Sequence, residues 1–270
     1  MPNRARLPAL RSRMSNRILL ALPEHEFQNI YRHLELVELR QGQVLYNADN
    51  WIDYAYFMNS GMASSVSVTV EGETVEDGTV GQEGLMGGLA ALGEDQIFCS
   101  GIVQIPGSAM RIGAQVLRLA FRQNPGFSRL MMDYMYGLRL QVGRSGECHY
   151  SHSLEQRLCR LLLMSQDCAR SESFPFTFEF LSHIVKSTRA AASSAIDDLH
   201  EAGSIYRRRA CIRIVDRKEV ERRACKCFRK SADNYDRPAL LEEAGTVPLH
   251  QVASDVARNH PHSRSRLMPN

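Results

Sequence analysis

The sequence predicts an α+β protein. Its expected parts are an N-terminal β-roll of the double-stranded β-helix or jelly-roll kind, a long connecting helix, and a C-terminal winged helix-turn-helix. Three observations carry this. Short β-rich runs between Leu36 and Ile112 are punctuated by glycine. Apolar spacing turns helical from Ala114 onward. Three helical patterns and a hairpin pattern then follow one another within about 75 residues. Charge divides along the same line. Residues 41–110 contain no Lys or Arg, whereas the stretch from Tyr206 to Lys230 contains eleven.

Residues 1–15 read as a flexible basic leader, since residues 1–23 hold five Arg and no acid, and Met14 is a second candidate start. Residues 16–124 form the expected β-rich domain. It opens on one or two short helices, where Ile18, Leu19, Leu22, Phe27, Ile30 and Leu34 approach helical spacing and Pro23 interrupts it. Strands are expected at Leu36-Val37, Val44–Tyr46, Tyr54–Met58, Ser65–Val70, Thr79-Val80, Ile102–Ile105 and Ala109–Ile112. The intervening glycines, Gly61 and Gly107 among them, are read as turns. A short helix over 114–124 stops before Pro125.

Residues 125–152 read as a dimerisation helix and hinge. Phe127, Met131, Tyr134, Leu138 and Val142 form an apolar stripe that is either core or a dimer seam, and it is expected to pair with its twin in a C2 dimer. Residues 153–230 read as the winged domain. Ser153 and Gln156 make a capping box for a helix through Cys168. A loop over Ser171–Pro175 precedes helices at about 177–185 and 188–202, the last stopping at Gly203. A hairpin spans Ser204–Val215, and Asp216 with Glu219 caps a basic helix over 217–230. Residues 231–270, without periodicity, read as a flexible tail.

Composition excludes some classes. No apolar run is long enough to span a bilayer. Seven cysteines without paired spacing suit a reducing, cytoplasmic setting. No Ser or Cys stands in a nucleophile motif with His, so no catalytic residue and no enzyme is expected. Cys148-His149 with His152 reads as an ordinary hinge rather than a metal feature. Cys225 and Cys227, two apart on the expected basic helix, point to different faces and make a poor chelate. No metal and no cofactor is therefore expected.

The helix expected over 188–202 is rich in small residues, so its backbone can sit deep in a DNA major groove. Arg189 at its start is placed to reach a base edge or a phosphate, and Arg207, Arg208 and Arg209 stand where a wing touches phosphates.

Six stretches, taken in order, give the chain a family resemblance across about residues 16–230. They are Asn16–Pro23, Tyr56–Met62, Val80–Gly87, Glu155–Met164, Glu201-Ala202-Gly203 and Ala224–Phe228. With them the chain resembles the Crp/Fnr regulators, in the branch whose sensor loop reads G-x-E-G-x-x-G. The resemblance implies a cyclic-nucleotide-binding-like roll, a dimerisation helix and a DNA-binding domain. It implies double-stranded DNA and a second copy of the chain as partners, with RNA polymerase a further candidate. By position, Thr177, Thr188, Arg189, Ala190, Ser193, Arg207, Arg208 and Arg209 are the expected DNA-binding residues. Gly81, Gln82, Glu83, Gly84, Gly87 and Cys99 are the expected sensor-pocket residues.

Two departures qualify the resemblance. Relatives that bind cyclic nucleotides hold the phosphate with a Gly-Glu start and an Arg-Ser pair. Here the first becomes Gly81-Gln82-Glu83-Gly84, and the second has no counterpart, since Ile97–Ser100 lies in the cation-free run. The sensed signal is therefore expected to be something other than cAMP, or nothing. In the helix-turn-helix, Lys186 stands where relatives carry the turn glycine, with Ser187 and Ala192 replacing apolar residues. The alternative reading is a family member that has lost DNA binding and serves as a protein-interaction scaffold.

Overall fold

In the computed structural model the residues described are 14–70, 72, 74–93, 97–169 and 171–228. The expected leader up to residue 13, the expected tail over 231–270, and Lys230 lie outside them. Helices α1 (Arg17–Ala21) and α2 (Glu24–Ile30) open the chain. Their apolar faces, with Leu19, Phe27 and Ile30, enter one core with Phe57, Phe127 and Met131.

Six strands follow, β1 (Glu35–Leu39), β2 (Val44–Tyr46), β3 (Tyr54–Val68), β4 (Thr74–Val80), β5 (Leu85–Met86) and β6 (Ser100–Gly113). They form an antiparallel jelly-roll-like sheet in the order β1-β6-β3-β4, with β2 added on β6 and β5 on β3. The runs expected as separate strands at 54–58 and 65–70 are one strand, and so are those at 102–105 and 109–112. The glycines explain the difference. A Cβ on Gly107 would lie 2.2 Å from the Ser60 carbonyl oxygen, and one on Gly61 2.5 Å from that of Ile105. Both mark a close crossing of β3 over β6, where the register shifts, not a reversal of the chain.

Helix α3 (Ala114–Gln123) leads to α4 (Pro125–Ser151). Proline suits the first turn of α4, where its missing N–H has no helical partner. The Glu26 carboxylate, brought in by α2, accepts from the backbone N–H groups of Gly126 and Phe127 at 2.9 and 2.7 Å. That is why an acid can be buried there, since those groups are orphaned at a helix start.

Most of the expected dimer stripe faces inward, and Val142 at its end is exposed. Phe127, Met131 and Tyr134 are buried in the protomer's own core. Leu138 and Val142 lean on β4, where a Cβ on Gly78 would touch both. Between them Gln141 donates to Thr79 Oγ1 at 2.9 Å. The sequence shows a stripe but not which surface covers it, and here the roll covers it from Phe127 to Leu138.

The C-terminal domain runs α5 (Leu154–Ala169), β7 (Ser173–Pro175), α6 (Phe178–Ile184), α7 (Arg189–Glu201), β8 (Ile205–Arg208), β9 (Cys211–Ile214) and α8 (Arg217–Arg223). The capping box forms, with Gln156 N donating to Ser153 Oγ and Ser153 N to Gln156 Oε1. The expected loop at 171–175 holds a strand instead. Phe174 anchors it in the core, and β7 pairs with β9 in the sheet β7-β9-β8. The basic helix is shorter than expected, ending at Arg223 because Ala224 turns extended (ψ 150°). Met62 and Ile105 of the roll join the core of this domain.

Candidate nucleic-acid interface

Helices α6 and α7 are set by two threonine caps and a short turn. Thr177 Oγ1 accepts from Phe180 N at 3.0 Å and Thr188 Oγ1 from Ala191 N at 3.1 Å. The intervening turn reverses at Lys186, whose φ is +46°. A lysine thus adopts the left-handed conformation that glycine takes more readily. The turn is secured by Val185, which is buried, and by Ser187 N donating to the Ser182 carbonyl at 2.9 Å. Ala192 is fully buried on the inner side of α7, beside Ile196 and Leu199.

The outer side of α7 begins at Thr188, Arg189 and Ala190, all exposed, with Ser193 half-buried a turn later. Arg189 donates to Glu179 on α6 at 2.7 Å. Both side chains are well exposed, so the pair is weak enough to yield to another anion. In the wing, Arg207 differs from its two neighbours. It is ion-paired with Asp197 of α7 and lies 5.3 Å over the Phe178 ring, fastening β8 to the helices. Arg208 and Arg209 stand exposed at the tip, with no ion pair among the described residues, and Arg209 takes φ +51° to make the turn. Arg213, also exposed, stacks over Tyr206 at 5.6 Å.

The basic run seen in the sequence is not one cationic face. Arg217 is paired with Asp167 and Glu221. Arg222 and Arg223 share Glu219, and Arg223 also reaches Glu155. Arg217 and Arg223 thereby tie α8 to α5. Spacing alone does not reveal this, because the acids on α5 lie some fifty residues or more upstream.

The expected sensor loop is closed by its own neighbours. The Asn16 amide donates to the carbonyls of Met58, Gln82 and Gly84 at 3.0, 3.2 and 2.7 Å. Glu83 turns back to accept from Gly81 N at 2.7 Å, and burial raises its carboxyl above the usual range. Tyr134 lies flat against Gly84, where a Cβ would fall 2.1 Å from the ring, and its hydroxyl donates to the Leu85 carbonyl. Gly81 abuts Cys168 of α5. Gly87 takes φ +78° to start a short 3-10 turn, and Cys99 is half-buried across the roll. Inside the roll, Tyr46, Met58, Val80, Met86 and Val103 pack together, and Gly101 admits the Tyr46 ring. Sequence reasoning missed Asn16 and Tyr134, since neither belongs to the glycine loop it seals.

A cavity of about 250 Å³ lies elsewhere, between β4, α4, α5 and the α6–α7 turn. Glu76, His149, Arg157, Arg160 and Lys186 line it. The Nε atoms of Arg157 and Arg160 are buried without a partner. Glu76 is pushed up to about 8 by burial, with the Ser64 hydroxyl and Arg160 pulling it down.

The poor chelate expected at Cys225 and Cys227 is corrected by the end of α8. Both residues lie beyond Arg223, so helical spacing does not apply, and their thiols meet Cys148 and His152.

Residues 36–124 match the cyclic nucleotide-binding domain family, and residues 156–223 match the Crp-like helix-turn-helix domain family. No curated protein matches the chain. Among solved structures, FixK2 from Bradyrhizobium japonicum superposes with a TM-score of 0.59 at 13% identity, over 71% of this chain and 98% of that one. A Crp/Fnr-family transcriptional regulator from Thermus thermophilus gives 0.57 at 18% identity, over 70% and 98%. CLP of Xanthomonas campestris, titled a c-di-GMP responsive global regulator, gives 0.57 at 12%, over 71% and 99%. Among the described residues no helix is long and apolar enough to cross a membrane.

Proposed function

The chain belongs to the Crp/Fnr family of transcription regulators, and we propose that it acts as one by binding double-stranded DNA as a homodimer. The observation that carries this is the exposed start of α7, Thr188, Arg189 and Ala190, in the same domain as a wing tip bearing Arg208 and Arg209. Arg189 and Ser193 read base edges, Thr177 and Thr188 contact phosphate from the helix starts, and Arg208 and Arg209 steer by charge. Arg207 holds the wing to α7 while this happens. The buried Ala192 and the Lys186 turn support a helix-turn-helix that keeps its shape despite the altered residues.

The dimer seam lies on the face of α4 that the roll leaves open. Met132 and Tyr136 are exposed there, followed at helical spacing by Arg139, Gly143 and Gly146. The two glycines permit close approach of a second helix. Tyr136→Glu is expected to yield monomers by sedimentation at tens of micromolar, where the wild type is a dimer.

The roll serves as a rigid body, not as a cyclic-nucleotide receptor. Its loop is held by Asn16 and Tyr134, and its interior is filled by side chains. Titration calorimetry is expected to show no micromolar cAMP binding. Selection of bound duplexes from a random library tests the whole reading. It should return a two-fold symmetric site with half-sites about one DNA turn apart. Failure to enrich any sequence, with no binding at low salt, would favour an interaction scaffold.

A further inference from the structure

Four side chains from opposite ends of the C-terminal half converge at the hinge. Cys148 and His152 come from the last turn and C-cap of α4, four residues apart and so on one face. Cys225 and Cys227 flank Lys226 in the turn that follows α8, where Phe228 N donates to the Cys225 carbonyl at 3.1 Å. Cys225 N reaches the Gln156 carbonyl at 3.4 Å, which fixes this turn against the start of α5. The three thiols are buried and form a cluster of their own, separate from the apolar cores.

The distances suit one ion. Cys148 Sγ lies 3.4 Å from Cys225 Sγ, and Cys227 Sγ lies 3.8 Å from His152 Nδ1. All four ligand atoms fall within 4.8 Å of one another. The sulfurs are too far apart for a disulfide, whose bond is about 2.05 Å. A tetrahedron with zinc–sulfur bonds of about 2.3 Å and a zinc–nitrogen bond of about 2.0 Å has edges of roughly 3.5–3.8 Å. An iron–sulfur cluster would spread its ligands over several irons and hold them farther apart. Three thiolates and an imidazole in tetrahedral array are a zinc donor set.

The surroundings fit the same charge. Three thiolates around a divalent cation leave one net negative charge. The Arg160 guanidinium, itself buried, lies beside Cys148 and supplies the compensating positive charge.

We propose that Cys148, His152, Cys225 and Cys227 form a mononuclear zinc centre that clamps the end of the winged domain to the connecting helix across the His152-Ser153 hinge. Zinc bonds to three sulfurs and one nitrogen, and the thiol protons are released to solvent as it binds. Closing the loop from residue 152 to residue 225 fixes the whole winged domain on α4. The orientation of α7 then depends on the metal.

The test uses the full chain, purified without chelator. Elemental analysis is expected to give one zinc per chain. Stripping it and adding Co²⁺ should produce the visible bands of tetrahedral cobalt with thiolate charge transfer. Stripping should also speed limited proteolysis at the hinge. Cys225→Ser and Cys227→Ser should each abolish stoichiometric zinc, whereas Cys211→Ser, on the wing, should keep it. The cobalt spectrum of the wild-type chain needs no variant, so the test survives if a substitution fails to fold. Absence of both zinc and a cobalt–thiolate spectrum would overturn the proposal, as would iron with labile sulfide in place of zinc.

Discussion

The Gly81–Gly87 segment, which carries the chain from β4 through β5 along β3, and the β8–β9 wing turn differ in that one is sealed and the other open. The first is held by the Asn16 amide, the Tyr134 ring and its own Glu83 carboxylate. The second ends in Arg208 and Arg209, exposed to solvent. The difference lies in what packs on each. The sensor loop meets α1 and α4, so polar groups there must find partners inside the protein. The backbone of the wing turn is held by Phe176 N donating to the Ala210 carbonyl, while the Arg208 and Arg209 side chains stay exposed, so these cations remain available to an external anion. A loop's place in the family pattern therefore does not decide whether it still receives a ligand; its neighbours do.

The largest effect is expected at Gly84. Gly84→Ala places a methyl group inside the Tyr134 ring volume and should cost more than about 4 kcal/mol or prevent folding. Arg209→Gly at the wing tip should change stability by less than about 0.5 kcal/mol. Chemical denaturation of the two variants checks the contrast, and equal effects would mean that the loop is not packed as described. Asn16→Ala is next. It removes the donations to the Met58, Gln82 and Gly84 carbonyls and the cap on Leu19 N, and a loss of roughly 2–3 kcal/mol is expected in the same measurement.

A smaller effect probes the contact between the roll and the winged domain. Burial raises Glu76 to about 8, so the folded protein binds this proton more tightly than the unfolded chain does. Stability from this group is complete below the ordinary carboxylate value and is lost as pH rises toward 8. Glu76→Gln should flatten that decline, raising the thermal midpoint by about 3 °C at pH 9 and changing it little at pH 5. An unchanged slope between pH 5 and pH 9 would mean that Glu76 titrates as an exposed acid.

Much of this was legible in the sequence, and the failures have physical causes. The helix starts at Ser153, Thr177, Thr188 and Asp216 are local capping signals and were readable as such. Gly61 and Gly107 were misread because a glycine demanded by a close strand crossing looks like one demanded by a turn. The stripe from Phe127 to Val142 was visible, but its partner was not, since periodicity reports an apolar face and not what covers it. The run of bases from Arg207 hid its pairing with Asp197 on the preceding helix and with Asp167 and Glu155, which are remote in the chain. Cys148 and Cys225, 77 residues apart, meet only through the path of the whole winged domain.

DNA reading by the open cationic surface of the winged domain makes binding salt-dependent. Affinity of the full chain for its selected duplex is measured by fluorescence anisotropy across a range of salt concentrations. It should fall linearly on logarithmic axes, by about 0.9 for each phosphate neutralised. Arg208→Ala should weaken all sequences alike and reduce that slope by about one. Arg189→Ala should cost roughly 1–3 kcal/mol on the preferred site and relax one base position. Binding that is absent at low salt, or untouched by both substitutions, would contradict the account.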